Sequence, residues 1–164
     1  MSATYEPIAT QTLGSSASSV TFSSISQTYT DLVLIMNFAS GINDNDVYAR
    51  INGDTTSSYS HTSLRGNGSA ASSGIGSNLT YLRVGNMSGS NVGQNNIIIN
   101  FLNYSNTTTF KTVLNRGNNP LLLIEAYVNL WRSTSAINSI TVLTQTGSFS
   151  TGSTFTLYGI KAAV

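Results

Sequence analysis

Short apolar and aromatic runs alternate along the chain with turns made of Gly, Ser and Asn. This pattern is typical of antiparallel β-sandwiches and barrels, whose short strands follow one another at close intervals. Proline occurs only at Pro7 and Pro120, each time just before an apolar run. We predict strands at about Ile8–Leu13, Ser19–Ile25, Asp31–Ala39, Val47–Asn52, Tyr59–Arg65, Leu79–Val84, Asn96–Asn103, Thr109–Asn115, Leu121–Arg132, Ser139–Thr144 and Thr154–Lys161.

The run after Pro120 shows the clearest two-residue period. One set of alternate residues is uniformly apolar: Leu122, Ile124, Ala126, Val128 and Leu130. The other set is interrupted by Glu125 and Asn129. Because successive side chains of a strand point to opposite faces, the uninterrupted set is predicted to face the core. A helix is the alternative for this run, because Leu, Glu and Ala are good helix formers.

Glycine and asparagine mark the turns. Asn52-Gly53-Asp54 suits a tight turn, because Gly and Asn tolerate positive φ angles. Two longer stretches, Gly66–Asn78 and Asn86–Asn95, are rich in Gly, Ser and Asn and are predicted to be loops. The fold class predicted is all-β, a jelly-roll-like antiparallel β-sandwich of about eight to eleven strands. It forms a single domain over residues 1–164, in which residues 1–13 are either an extended N-terminal arm or the first strand.

Several predicted strands carry apolar residues on both faces. In Asp31–Ala39, for example, Val33 and Ile35 lie opposite the row that is expected to face the core. A sheet face in water rarely carries so many apolar side chains. One explanation is that loops fold over these strands, and the other is a subunit interface. Trp and Tyr next to Arg are residue types enriched at interfaces and favour the second explanation. The interface residues predicted are Tyr5, Ile8, Val33, Ile35, Ile98, Leu102, Tyr127 and Trp131.

Charged residues are scarce in this chain. They make up 8% of it, whereas a soluble domain usually has about 25%. Seven basic residues nearly cancel six acidic ones and leave a net charge of +1, so copies of the chain repel one another only weakly. The basic residues are scattered, and nucleic-acid binding requires clustered ones, so no nucleic-acid partner is expected. No apolar run approaches the roughly 20 residues of a membrane span, and no membrane partner is expected.

The residues that catalysis usually requires are few. The chain has no cysteine and one histidine, His61, which excludes thiolate chemistry and histidine pairs at a metal. His61 is predicted to lie on an exposed or edge strand. A Ser–His–Asp triad has no Gly-x-Ser-x-Gly motif to support it. Glu125 lacks a second acid at a position that suits glycoside hydrolysis. We therefore expect neither an enzyme nor a cofactor.

One acidic segment could in principle bind a cation. Asn43-Asp44-Asn45-Asp46 offers the oxygen ligands that Ca²⁺ prefers. It lacks the Gly and the distal Glu of a loop-type calcium site. A polar turn is therefore the preferred interpretation, and no metal site is predicted.

Two regions of the chain resemble a known class of proteins. They comprise Tyr5–Thr10, Val20–Ile25, Tyr29–Leu34, Arg50–Asp54 and Ser58–Ser60 near the N-terminus, and Trp131, Ile137–Val142 and Gly152–Ile160 near the C-terminus. These runs, about half of the chain, resemble small virion proteins of tailed bacteriophages. The segment 66–120 does not contribute to the resemblance, which carries no catalytic residues.

The resemblance implies a structural component of a virion. A capsid decoration (cement) protein would be expected to form a homotrimer on the capsid surface and to bridge neighbouring major capsid proteins. The short chain without a repetitive shaft favours this role over a location on the tail. The alternative is a tail or fibre module that binds a host surface, or a carbohydrate-binding module. For the latter, Tyr48, Tyr59, Tyr81 and Trp131 could stack on a glycan.

Overall fold

The computed structural model describes residues 4–41, 45–87, 95–119 and 122–161. These residues form twelve β-strands, and none of them forms a helix that could cross a membrane. The strands are β1 (Tyr5–Thr12), β2 (Ser19–Phe22), β3 (Asp31–Phe38), β4 (Asn45–Ile51), β5 (Tyr59–Gly66), β6 (Ala71–Leu79), β7 (Leu82–Met87), β8 (Asn95–Phe101), β9 (Lys111–Asn119), β10 (Leu123–Trp131), β11 (Ile140–Thr144) and β12 (Thr154–Ile160).

The strands form two antiparallel sheets of unequal width. The larger sheet has eight strands in the order β1-β12-β3-β8-β9-β10-β5-β6, and the smaller has four in the order β2-β11-β4-β7. One hydrophobic core draws its side chains from both sheets, as the two inner faces of a β-sandwich do. The prediction of an all-β antiparallel sandwich is confirmed.

The core rows follow the two-residue period in most strands. In β3 the buried row consists of Leu32, Leu34, Met36 and Phe38. The buried residues of β4, β8 and β12 alternate in the same way with half-buried or exposed ones, apart from Tyr48. The period therefore identified the inward face of these strands correctly.

One predicted loop is a strand in the structure, and the N-terminal segment, predicted as either an arm or a strand, is a strand. The stretch Gly66–Asn78 contains most of β6, so the prediction of a loop there is wrong. β6 pairs with β5 through the backbone, and such pairing does not depend on apolar side chains. Residues 5–12 form the first strand, which pairs with β12, and not an extended arm. Of the other predicted loop, residues 88–94 lie outside the described part of the chain.

The strand β10 faces the opposite way from the prediction. The row interrupted by polar residues, Leu123, Glu125, Tyr127, Asn129 and Trp131, is the buried one. The uniformly apolar row points outward, and Ile124 and Val128 are 63% and 55% exposed. The prediction that this row faces the core is wrong. A strand is confirmed there, and the helix alternative is excluded.

Two asparagines that point inward, one on β9 and one on β10, bind the edge of the smaller sheet. β7 is the last strand of that sheet and lies against β9 and β10. The side-chain amide of Asn115 donates to the carbonyl oxygen of Val84 at 2.6 Å, and that of Asn129 donates to the carbonyl oxygen of Arg83 at 3.1 Å. A buried carbonyl left without a donor costs about 1–3 kcal/mol, so asparagine is the better residue at these inward positions.

Candidate functional site

The outer face of the larger sheet carries exposed apolar residues on β9, β10, β5 and β6. The strand register aligns Leu114, Val128, Thr62 and Ile75 in one row across these four strands. Of these, Ile75 is 84% exposed and Val128 is 55% exposed. Ala126 and Leu64 lie opposite each other in the neighbouring row. The surface formed by Leu64, Ile75, Leu114, Ile124 and Val128 is called the outer apolar surface below.

Two arginines border the outer apolar surface, and one of them, Arg132, lines a cleft together with Ile75 and Val128. The strand register places Arg116, an exposed residue, between Ile98 and Ala126. The remaining residues that β5 and β6 contribute to this face are Ser, Thr, Ala and Gly. Large apolar patches of this kind on a protein surface mark interaction sites more often than isolated exposed residues do.

Three predicted interface residues are buried inside the chain. Val33, Tyr127 and Trp131 are 3%, 4% and 2% exposed, respectively, so the prediction that they present side chains to a partner is wrong. Tyr127 and Trp131 belong to the inward row of β10. Val33 does lie on the outer side of β3, but its neighbours in register, Tyr158 and Asn100, flank it there.

The other predicted interface residues lie near β1, β3 and β8. Tyr5 and Leu102 are exposed. Ile35 and Ile98 are half-buried and lie directly opposite each other on adjacent strands. Ile8 is also half-buried and packs against the hydrophobic core. That these residues form a subunit interface stays a prediction.

Sequence reasoning missed the outer apolar surface. The sequence pattern predicts Ile124 and Val128 in the core, because their row is uninterrupted, and it predicts Ile75 in a loop. The signal that could have found the surface is the pair of polar residues, Glu125 and Asn129, in the other row of β10. Polar side chains can be buried when an edge strand opposite them needs hydrogen-bond donors.

The buried acid Glu125 serves as a hydrogen-bond acceptor. Its Oε1 accepts a hydrogen bond from the hydroxyl of Tyr127 at 2.9 Å and lies 3.4 Å from Nε of Arg65. Burial raises the pKa of Tyr127, and the negative charge of Glu125 raises it further, so the phenol keeps its proton and donates. The cleft beside them measures about 170 Å³, below the roughly 300–1,000 Å³ of typical ligand pockets.

His61 lies inside the larger sheet. Its strand, β5, is flanked by β10 and β6, so the prediction of an edge strand is wrong. The ring of His61 is half-buried and makes an edge-to-face contact with Tyr127, at 5.5 Å between centroids. Burial lowers the pKa of His61 below 6.5, and the positive charge of Arg83 lowers it further. Both effects favour the neutral form of the imidazole.

The remaining described carboxylates bind other groups of the protein. Asp46 pairs with Arg83, with 2.5 Å between Oδ1 and an Nη, and Glu6 pairs with Lys161 at 2.8 Å. Asp31 accepts a hydrogen bond from the backbone of Asn103, while Asp54 accepts several from side chains and backbone.

The segment considered for calcium is only partly within the described residues. Asn43 and Asp44 lie outside them. Asn45 accepts a hydrogen bond from the backbone of Thr146, and Asp46 pairs with Arg83. Over the described ranges, no three His, Cys, Asp or Glu side chains come together as a metal site would require.

No protein family matches the sequence of this chain, and no curated protein is significantly similar to it.

Proposed function

We propose that this chain is a non-enzymatic structural protein of a virus particle, a capsid decoration protein that bridges and stabilises neighbouring major capsid proteins. The observation that carries the proposal is the outer apolar surface. Four of its residues, Leu64, Ile75, Ile124 and Val128, are more than half exposed. Burying one such side chain stabilises an interface by about 1.5–3 kcal/mol, so this face gains from contact with other subunits.

The order of the strands supports a virion protein. Four strands of the larger sheet, β1-β12-β3-β8, and the four of the smaller sheet, β2-β11-β4-β7, are considered in chain order. From one to the next the chain crosses between the sheets at every step except from β4 to β7, which pair within the smaller sheet. We interpret these eight strands as a jelly roll, an architecture that viral capsid proteins use. The hairpins β5–β6 and β9–β10 then widen one of its sheets and carry the outer apolar surface.

The low charge also supports an assembled state. With a net charge of +1, copies of the protein do not repel one another over long distances. We propose a homotrimer in which the region around Ile35, Ile98 and Leu102 contacts neighbouring copies. The exposed residues near the N-terminus, Tyr5 among them, then remain available to contact the capsid.

The alternative role, glycan binding, gains no support from the four aromatic residues considered for it. Tyr59 and Trp131 are buried. Tyr48 and Tyr81 stack on each other, with 3.8 Å between ring centroids, and so do not present a pair of open, coplanar rings to a sugar. A location on the tail remains the other candidate within the virion.

Electron cryo-microscopy of the virus particles that contain this chain tests the proposal. We expect density for the two-sheet domain on the outer surface of the capsid, with the outer apolar surface against a protein neighbour. Density on the tail alone would favour the host-binding role, and absence of the chain from purified particles would contradict both.

A binding assay with particles that lack the protein supplies the matched control. The substitution Val128→Asp places a charge on the outer apolar surface and is expected to weaken binding at least about tenfold, because a buried unpaired charge is costly. Thr151→Asp, at an exposed position in the loop before β12, is expected to leave binding unchanged. Equal binding by both variants would show that this face does not contact the particle.

A further inference from the structure

The edge strand β6 lacks the charge and the proline that usually prevent edge strands from pairing, although its register with β5 shifts near its C-terminal end, between the pairs His61–Gly76 and Tyr59–Leu79. It is nine residues long, and its sequence, ASSGIGSNL, contains neither a charged residue nor proline. Natural edge strands are commonly short, charged, interrupted by proline or covered, because their free backbone groups attract other strands. Seven of the nine residues of β6 are exposed, on both faces of the sheet. Nothing in the described part of the chain covers this edge.

The opposite edge of the same sheet is better protected. β1 carries Glu6 and Pro7 and has a register shift between Pro7 and Ala9. A charge and a proline each disfavour the addition of another strand. The register shift is common to both edge strands, whereas β6 has neither the charge nor the proline. Of the two edges of the larger sheet, β6 is therefore the one suited to further pairing.

The sequence of β6 is nearly symmetric about Ile75. Gly74 and Gly76 flank it, and Ser73 and Ser77 follow on either side. In an interface with two-fold symmetry, residue i of one copy meets residue j of the other, and j meets i. Antiparallel pairing of two β6 strands about Ile75 would thus place glycine opposite glycine and serine opposite serine, with no charge and no large side chain out of place.

The same arrangement would bury the most exposed apolar residue of the described chain. Ile75, 84% exposed, would lie beside its counterpart, at the 4.5–5.5 Å that separates directly opposed residues of antiparallel strands. The apolar row that runs through Val128 and Ile75 would then continue across the two copies.

We propose that β6 is a self-pairing edge, through which two copies of this chain join their larger sheets into one continuous antiparallel sheet across a two-fold axis at Ile75. The partner that β6 binds is a second copy of the chain. This inference goes beyond the proposed function, because it concerns a contact between copies and holds on the capsid, on the tail or in free solution.

Cross-linking through one introduced cysteine tests the proposal, and the natural chain has no cysteine to interfere. In Ile75→Cys the two α-carbons would lie within the 4.4–6.8 Å that a disulfide requires. We expect the oxidised protein to run as a covalent dimer on a non-reducing gel. The matched control is Leu64→Cys, which is also exposed on the outer face but lies one strand further in, on β5.

The control separates edge pairing from stacking of the outer faces. Across a β6–β6 contact, the two copies of residue 64 would lie at least about 14 Å apart, so Leu64→Cys should form a dimer at least about tenfold more slowly. Faster cross-linking of Leu64→Cys than of Ile75→Cys would show that copies meet face to face and would overturn the proposal. Failure of the proposed capsid role would leave this result unaffected, since the assay uses only the free protein.

Sedimentation of an uncross-linked variant gives an independent measurement. Ile75→Lys should weaken self-association at least about tenfold, because it places two ammonium groups side by side at the axis, while Leu64→Lys should weaken it less. Circular dichroism checks that both variants keep the fold. Two results together would overturn self-pairing. The wild-type protein would stay monomeric, and its β6 amides would become protected from hydrogen exchange only when virus particles are added. The partner of β6 would then be a segment of the capsid.

Discussion

Hydrogen bonds and a ring contact connect the end of β10 to the turn that follows β4, through Asp54, Tyr59 and Trp131. The indole Nε1 of Trp131 donates to Oδ2 of Asp54 at 2.7 Å. The ring of Trp131 stacks at 6.5 Å from that of Tyr59, whose hydroxyl donates to the backbone oxygen of Asp54 at 3.2 Å. Trp131 was a candidate for a subunit interface, and both Trp131 and Tyr59 were candidates for stacking on a glycan. In the structure, both residues stabilise the inside of the sandwich.

The hydrogen bonds to Asp54 decide its ionisation. Partial burial acts to raise the pKa of Asp54, but the hydrogen bonds from Ser58, Trp131 and Thr56 outweigh it and lower the pKa to about 2. Because an unfolded aspartate has a pKa of about 3.9, ionised Asp54 stabilises the fold. This contribution is fully present above about pH 4 and is lost as the pH falls through about 2.

Asp54→Asn should therefore lower the free energy of unfolding at pH 7 by about 1–2 kcal/mol. The difference from the wild type should shrink between about pH 4 and pH 2, as the wild-type carboxylate takes up a proton. Urea denaturation at a series of pH values measures both effects. Glu6→Gln, which removes one partner of a half-exposed ion pair with Lys161, is the control and should cost less than about 1 kcal/mol.

At the scale of the strands, the inward face of β10 is set by β7. β7 ends the smaller sheet and lies against β9 and β10 of the larger sheet. Asn129 donates to the Arg83 carbonyl and also to Oδ1 of Asn115, at 2.7 Å, and Asn115 in turn donates to the Val84 carbonyl. The two asparagine side chains thereby donate hydrogen bonds to backbone carbonyls of β7. In a wider sheet, a further neighbouring strand would supply such donors.

Asn129→Leu should lower the free energy of unfolding by about 1–3 kcal/mol, although it increases the apolar content of the core. The reason is that the Arg83 carbonyl and the Asn115 amide oxygen would lose their donor in a buried place. Urea denaturation measures the change. Asn96→Leu, at an outer position of β8 whose amide donates to Asn37 in an exposed place, should cost less than about 1 kcal/mol because water replaces the lost donor. A stabilising Asn129→Leu would show that β7 needs no such donors.

At the scale of the molecule, the unequal width of the sheets accounts for the surface. Eight strands face four, so the hairpin β5–β6 extends past the smaller sheet, and most residues of β6 are exposed on both of its faces. The outer apolar surface lies on this wider half. Its contacts with other copies, through the face or through β6, would depend on apolar burial and backbone pairing and not on ion pairs.

Self-association of the protein should therefore depend little on salt. Between about 0.05 and 1 M sodium chloride, we expect the association constant to change by less than about threefold, because there are few charges to screen. Sedimentation equilibrium over this range measures it. A weakening of more than about tenfold would instead indicate ionic contacts, of which Arg116 would be the first to test by Arg116→Gln.

The amino-acid sequence by itself determined the strands and the kind of surface. Alternating residues predicted eleven of the twelve described strands, since apolar periodicity requires only that one face of each strand be buried. The eleven did not include β6, because its glycines and serines lack that periodicity and it is held by backbone pairing with β5. Composition likewise determined the low charge, which follows from residue counts alone.

Only the tertiary structure decided which face of β10 is buried and which residues a partner could reach. A two-residue period defines two faces but does not say which one meets the other sheet. Glu125 and Asn129 could turn inward because Arg65, Tyr127 and the β7 backbone meet them there. Tyr127 lies on β10 itself, but Arg65 and the β7 backbone come from strands distant in the chain, so no local pattern contains them, and the exposure of Val128 follows from their positions.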